Sequence, residues 1–189
     1  MGEKNMIIDP MWWSWQDELP VSVCEAIITE GKKLELTSGK VGGGDDHSEG
    51  FVDEKTRKSK VSFFNNDNWI SAICWKYMDI ANRNSGWNFS ITGQQSPQFT
   101  TYDNDEFYDF HEDSSVVQND MRKLSMTISI TNPDDYEGGD FEFENGVVSD
   151  SRLQGSIIVF PSFIKHRVTP VTKGTRYSLV NWFTGERFR

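Results

Sequence analysis

The sequence predicts a mainly β domain of the α+β class: an antiparallel jelly roll of two sheets, with N-terminal helices packed on one of them. Three observations predict it. Apolar residues recur at helical spacing in two segments before residue 85. From Trp87 the period switches to two and holds through roughly eight short runs. Joints such as "NPDDYEGGD" and "VTKGT" separate those runs with turn-forming residues. Helices first, then many short strands, is the order expected where helices cover one side of an antiparallel sheet. The strand number fits a double-sheet jelly roll.

The elements follow in order. Trp12, Trp13 and Trp15 are expected to anchor the N-terminus against the barrel, with stacking on a substrate as the alternative. "PVSVCEAIITEGKK" reads as a helix with Cys24, Ile27 and Ile28 on its apolar side and Gly31 at its end. Leu36 to Lys60 is rich in glycine and charge, so it reads as a long mobile loop with one short strand. Within it, Gly39 to Lys60 is the candidate lid. "DNWISAICWKYMDIANR" places Ile70, Ile73, Cys74, Tyr77 and Ala81 on one helical stripe, with Asp67 or Asn68 as N-cap. The strand runs are "WNFSIT", "PQFTTYD", "EFYDFH", "LSMTISIT", "GDFEFE", "GSIIVFP", "HRVTPV" and "RYSLVNWF".

A chain of 189 residues is expected to form one domain. Residues 1–85 would supply helical support and the loop, and residues 86–185 the β core. Aromatics make up 13% of the residues, as a packed protein requires. The net charge of −10 disfavours partners with a phosphate backbone and anionic membranes. No apolar run approaches the ~18–20 residues that span a bilayer, and the N-terminus lacks a secretory hydrophobic segment. Cys24 and Cys74 form no CxxC and fall on helical apolar faces, so reduced, packed thiols and a cytoplasmic location are expected.

The chemistry-bearing residues are few. In "YDFHEDSS", His111 and Asp113 are two apart, and in an extended strand such a pair shares one face. With His166 they make two imidazoles and one carboxylate, the facial set that holds a first-row metal while leaving positions open. The remaining histidine, His47, reads as a solvated loop residue. Ten residues beyond His166 comes Arg176, within a strand whose two faces are both largely apolar. Alternation groups Arg176, Ser178, Val180 and Trp182 against Tyr177, Leu179, Asn181 and Phe183. A guanidinium buried there needs an anion: an internal carboxylate, or one brought by a ligand.

These residues carry a resemblance. From Gln98 to Phe183, the blocks "QFTTYDNDEFYDFHED", "YEGGDFEF" and "GSIIVFPSFIKHRVTPVTKGTRYSLVNWF" resemble, in order, the iron- and 2-oxoglutarate-dependent dioxygenases. The branch is the prolyl 4-hydroxylase-like one, and within it the PKHD-type hydroxylases. The resemblance implies a double-stranded β-helix with His111, Asp113 and His166 as iron ligands. It assigns Arg176 to the distal carboxylate of 2-oxoglutarate, Tyr102 to a co-substrate contact and Trp182 to the wall of the iron pocket. Thr127 and Ser129 face either into the barrel or away from it. Arg57 and Ser59 in "TRKSK" resemble an R-x-S found before a strand in this branch; a solvated charge run is the alternative. Implied cofactors are Fe(II) and 2-oxoglutarate, with O2 as co-substrate and room for ascorbate.

The expected reaction is hydroxylation of an unactivated C–H, with a prolyl residue of a peptide or protein as substrate. Two alternatives stand beside it: a hydroxylase of a free amino acid or small metabolite, and a non-catalytic binding module with a relic metal site. Nucleic-acid demethylation conflicts with the acidic charge. The oligomeric state is open.

Overall fold

The chain builds two unequal antiparallel sheets that face each other across the site. The computed structural model describes residues 10–42, 50–117, 120–147 and 151–187; His47 lies outside them. In chain order the elements are β1 (Trp13–Trp15), α1 (Val21–Gly31), β2 (Thr37–Ser38), β3 (Arg57–Lys58), β4 (Lys60–Phe63) and α2 (Trp69–Asn84). Next come β5 (Gly93–Gln94), β6 (Gln98–Tyr102), β7 (Phe107–His111), β8 (Val116–Val117), β9 (Asp120–Ser129) and a 3-10 turn at Pro133–Asp135. The last are β10 (Tyr136–Gly138), β11 (Phe141–Phe143), β12 (Gly146–Val147), β13 (Ile157–Pro161), β14 (His166–Val168), β15 (Val171–Gly174) and β16 (Arg176–Glu186). The larger sheet runs β1-β13-β9-β16-β6-β4-β2, with β5 on β16 and β8 on β9. The smaller runs β12-β11-β14-β7-β3, and β10 with β15 forms a separate ribbon. This is the double-stranded β-helix with flanking N-terminal helices.

Alternation along the two central strands divides the molecule. Leu124, Met126, Ile128 and Ile130 share a core with Leu179 and Phe183. Cys24 and Ile27 of α1, and Ile70, Cys74, Tyr77 and Ala81 of α2, are buried in the same core. Burial of each such aliphatic side chain contributes about 1.5–3 kcal/mol, which is what holds the helices on this sheet. The other face is polar. In register, Ser129 stands beside Ser178, Thr127 beside Val180, and Ser125 beside Trp182. That face looks into the space between the sheets. A second cluster includes Phe141, Phe143, Phe160, Val168 and Val171, and three of these (Phe141, Phe160 and Val168) line the cavity.

Asn68, rather than Asp67, caps α2: its Oδ1 accepts from the Ser71 N–H at 3.0 Å. Gly31 is the last residue of α1, and an added Cβ there would lie 2.5 Å from the Phe99 ring. Close approach is therefore the reason for glycine at this position. Trp13 pairs with Val159, Trp15 meets Tyr77 edge-on and Trp12 stacks on Phe143, so the N-terminal tryptophans pack on the barrel.

Two expectations differ from the structure. Residues 87–92 are not a strand. The Asn82 side chain bonds both the N–H and the C=O of Phe89, at 2.9 and 2.8 Å, and Asn88 has φ +50°. A backbone so satisfied by a side chain has no need of a ladder; pairing starts only at Gly93. The span from Leu36 to Lys60 is also richer in pairing than one short strand. It carries β2, β3 and the start of β4, plus a bridge between Val41 and Phe51. No helix among the described residues is long and apolar enough to cross a membrane.

Candidate metal centre

His111 ends β7 and His166 begins β14, and the two are direct partners across that strand pair. Asp113 lies just past β7, where its N–H and that of Ser114 both donate to the Ser162 carbonyl, at 2.9 and 3.0 Å. This contact turns the carboxylate back towards the imidazoles. Its oxygens lie 3.6 Å from His111 Nε2 and 3.5 Å from His166 Nε2. One ligand atom from each residue falls within 4.8 Å of the others, a spacing that can hold one ion. The three residues expected from the sequence thus converge.

The tautomers follow from the backbone. His111 Nδ1 is 2.8 Å from the Asp109 carbonyl, and His166 Nδ1 is 2.9 Å from that of Ile164. A carbonyl only accepts, so each Nδ1 carries the proton and each Nε2 offers its lone pair to the shared centre. Tyr108 stacks on the His111 ring at 3.4 Å, and Phe160 meets the His166 ring at 4.6 Å.

Electrostatics favour the metal-ready state. Burial pushes the Asp113 carboxyl up. The His166, His111 and Arg122 charges and a hydrogen bond from Ser125 outweigh it and hold the group down at about 2. Burial, assisted by His166, takes His111 down to about 3 against the pull of Asp113. An ionised carboxylate beside a neutral imidazole is the protonation that coordination requires.

A cavity of about 1120 Å³ opens over the triad. Tyr102, Tyr108, Thr127 and Trp182 lie in its wall. Thr127 therefore faces inward, and Trp182 sits where an aromatic lining residue was expected. The volume slightly exceeds that of an ordinary small-ligand pocket, about 300–1000 Å³.

Arg176 is not in that wall. It pairs in register with Tyr102 across β16 and β6, and its guanidinium carbon lies 5.6 Å from the Tyr102 ring centroid. It borders a small void with Ser129, Tyr136, Gly139 and Arg152. The side chain is 2% exposed, and its Nη1 is buried with no hydrogen-bond partner. An unmet charged donor costs roughly 1–3 kcal/mol or more, a cost that an acceptor brought by a ligand would relieve. Gly139 makes room for it: with φ +65°, a Cβ there would lie 2.9 Å from Arg176 Cδ. A carboxylate-bearing co-substrate fits this chemistry.

Arg122 was not expected here. Its guanidinium carbon sits 4.0 Å over the Trp182 ring, and its Nε and Nη2 both donate to Gln95 Oε1, at 3.1 and 2.8 Å. Simple alternation would place Arg122 with Leu124 on the core face. Between β9 and β16, however, Phe183 pairs with Leu124 while Thr184 pairs with Arg122, which leaves Lys123 as an extra residue. The bulge turns Arg122 into the cavity. Its only trace in the sequence is an arginine beside an apolar run. Ser125 and Ser162, 3.0 Å apart through their hydroxyls, also emerge only from the tertiary structure.

Comparison with known proteins agrees with this geometry. The family model described as the 2OG-Fe(II) oxygenase superfamily matches residues 97–184, the stretch that holds all three triad residues and Arg176. A PKHD-type hydroxylase of Idiomarina loihiensis is 37% identical over 83 residues, which cover 43% of this chain and 38% of the relative. The chain therefore matches well under half the length of that curated relative. The viral collagen prolyl hydroxylase of Paramecium bursaria Chlorella virus-1 superposes with a TM-score of 0.71 at 16% identity, covering 95% of this chain and 99% of the viral one. A Trichoplax adhaerens prolyl hydroxylase, solved with a peptide fragment of the hypoxia inducible factor oxygen degradation domain, gives 0.66 at 17% identity, covering 93% and 84%. At such identities the structural likeness speaks for the fold, and the sequence match to the 2OG-Fe(II) oxygenase superfamily lies over the segment that carries the triad.

Proposed function

We propose that the chain is an Fe(II)- and 2-oxoglutarate-dependent dioxygenase that hydroxylates an unactivated C–H bond of a prolyl residue in a peptide or protein. The observation that carries this reading is the convergence of His111, Asp113 and His166 at one wall of a large cavity. Bound there, Fe(II) with 2-oxoglutarate supplies the oxidising chemistry. The protein's own residues bind, orient and exclude water.

His111 and His166 present lone pairs held in direction by backbone carbonyls, and Asp113 brings the negative charge. Arg176 holds the distal carboxylate of the co-substrate with a donor that has no other partner. Tyr102 lines the cavity, with its ring centroid 5.6 Å from that guanidinium carbon. Burial raises its pKa against the pull of Arg57 and Arg176, so it contacts the co-substrate as a neutral phenol. Trp182 and Arg122 form a flat wall beside the triad. A peptide is supported over a small metabolite by the cavity's size and by the exposed Phe51 and Phe63 in its lining. The prolyl assignment is supported by the names of the similar proteins, the viral collagen prolyl hydroxylase and the peptide-bound Trichoplax enzyme among them.

The test is an anaerobic titration of the Fe(II)-loaded protein with 2-oxoglutarate, followed by its visible charge-transfer absorption. The band is expected in the wild type and absent in Arg176→Ala, which still retains iron. Succinate release coupled to a proline-containing peptide gaining one oxygen atom then identifies the substrate class. A protein that binds neither iron nor 2-oxoglutarate would refute the reading.

A further inference from the structure

The iron ligand His111 is in contact with the cavity rim through two intervening side chains. Its ring lies against Tyr108 at 3.4 Å between centroids and 10° between planes. Stacking that close covers one face of the phenol ring. The Arg57 guanidinium carbon lies 4.5 Å from the centroid of the same ring, so it takes the other face. Strand pairing sets this column, because Arg57 and Tyr108 are register partners across β3 and β7.

Arg57 does not simply rest there. It is 7% exposed, its Nε donates to Ser59 Oγ at 2.8 Å, and its Nη1 donates to the Lys40 carbonyl at 3.1 Å. Gly39 allows the chain to pass over this pair: a Cβ at that position would lie 2.5 Å from both Arg57 Nε and Ser59 Oγ. Lys40 belongs to the cavity wall with Gly42, Gly50 and Phe51. Immediately beyond Lys40, Val41 and Phe51 exchange two backbone hydrogen bonds, at 2.8 and 2.9 Å. The arginine in the R-x-S therefore touches the rim with its edge and the ligand stack with its face.

A metal needs the lone pair of an imidazole aimed, and one hydrogen bond leaves the ring free to tilt about that bond. The bond from His111 Nδ1 to Asp109 fixes a direction within the ring plane. The Tyr108 stack fixes the plane itself, provided Tyr108 cannot retreat. We propose that Arg57 is a positioning residue for His111, and that through it the rim at 40–42 and 50–51 and the metal site stabilise each other. The inference rests on the metal-site reading above. Coupling of this kind is reciprocal: whatever orders the ligand orders the rim. Only a planar guanidinium can stack on a ring and donate two edge hydrogen bonds in fixed directions at once; a lysine ammonium cannot.

The experiment uses Co(II) alone as the probe, in the absence of O2. It measures Co(II) affinity, the visible Co(II) spectrum, and amide hydrogen exchange at Val41 and Phe51 with and without the ion. In the wild type, Co(II) is expected to slow exchange at both amides. Arg57→Ala and Arg57→Lys should each weaken Co(II) binding roughly ten-fold, the lower end of what loss of a ligand-orienting partner costs. Both should shift the Co(II) bands and remove the slowing of exchange. Arg57→Lys preserves charge, so it serves where the alanine variant does not fold. Wild-type affinity and spectrum in Arg57→Lys would overturn the positioning role. Exchange that ignores Co(II) in the wild type would overturn the coupling to the rim. A wild type that takes up no Co(II) would instead refute the metal site, an outcome distinct from the other two.

Discussion

His166 and His111 are direct cross-strand partners, with ring centroids 4.2 Å apart and planes tilted by 54°. A single strand pair thus supplies both imidazoles, and a turn fastened to Ser162 supplies the carboxylate. Truncating one imidazole leaves only two protein ligands for the ion. His166→Ala is expected to lower Fe(II) affinity by more than about 100-fold, beyond the cost of losing an outer partner. Metal analysis after desalting checks this, with circular dichroism to verify the fold.

Gly139 faces Arg176 at a place where no side chain fits. Gly139→Ala should weaken 2-oxoglutarate binding about ten-fold while leaving metal affinity unchanged. The added methyl meets Arg176 Cδ, and the positive φ is strained for any residue but glycine. Equilibrium titration of the iron-loaded variant separates the two effects. Loss of metal and co-substrate binding together would place the damage in the fold instead.

The two cysteines give a pH prediction. Burial pushes Cys24 up to about 11 and Cys74 up to about 12. A raised pKa keeps the thiol protonated, and the thiolate is the reactive form. The native protein should therefore resist iodoacetamide through pH ~8–9, where an exposed cysteine with a pKa near 8.5 reacts readily. Modification of both should follow unfolding in denaturant. Mass spectrometry of native and denatured samples decides it.

Asn82 replaces a strand ladder at Phe89, so its removal has a defined cost. Asn82→Ala leaves the Phe89 N–H and C=O without their partner and should destabilise the protein by about 1–3 kcal/mol. Asn82→Asp keeps the acceptor for the N–H and should lose less. Urea denaturation of both variants tests the order.

Much of the site was legible before folding is considered. Period-two alternation is a local property, so Ser125, Thr127 and Ser129 separate from Leu124, Met126 and Ile128 on the sequence alone, and Arg176 and Trp182 separate from Leu179 and Phe183. The i, i+2 spacing likewise gives His111 and Asp113 a common side. The sequence does not say which face turns inward. Two helices covering the apolar face settle that, because burying it beneath α1 and α2 leaves the polar face to line the cavity.

What alternation misses arises where a partner strand or a distant side chain overrides it. Arg122 reaches Trp182 because the register between β9 and β16 shifts at Lys123, and a bulge is a property of two strands. Residues 87–92 carry strand periodicity, yet Asn82 at the end of α2 captures Phe89 first. Arg57 reads in the sequence either as part of an R-x-S resemblance or as one charge in a solvated run, and only β3 sets it against Tyr108. The sequence by itself determined the two-faced strands, the triad and the buried guanidinium. Only the tertiary structure decided which residues hold them in place, because those contacts join segments whose separation along the chain leaves no periodic trace.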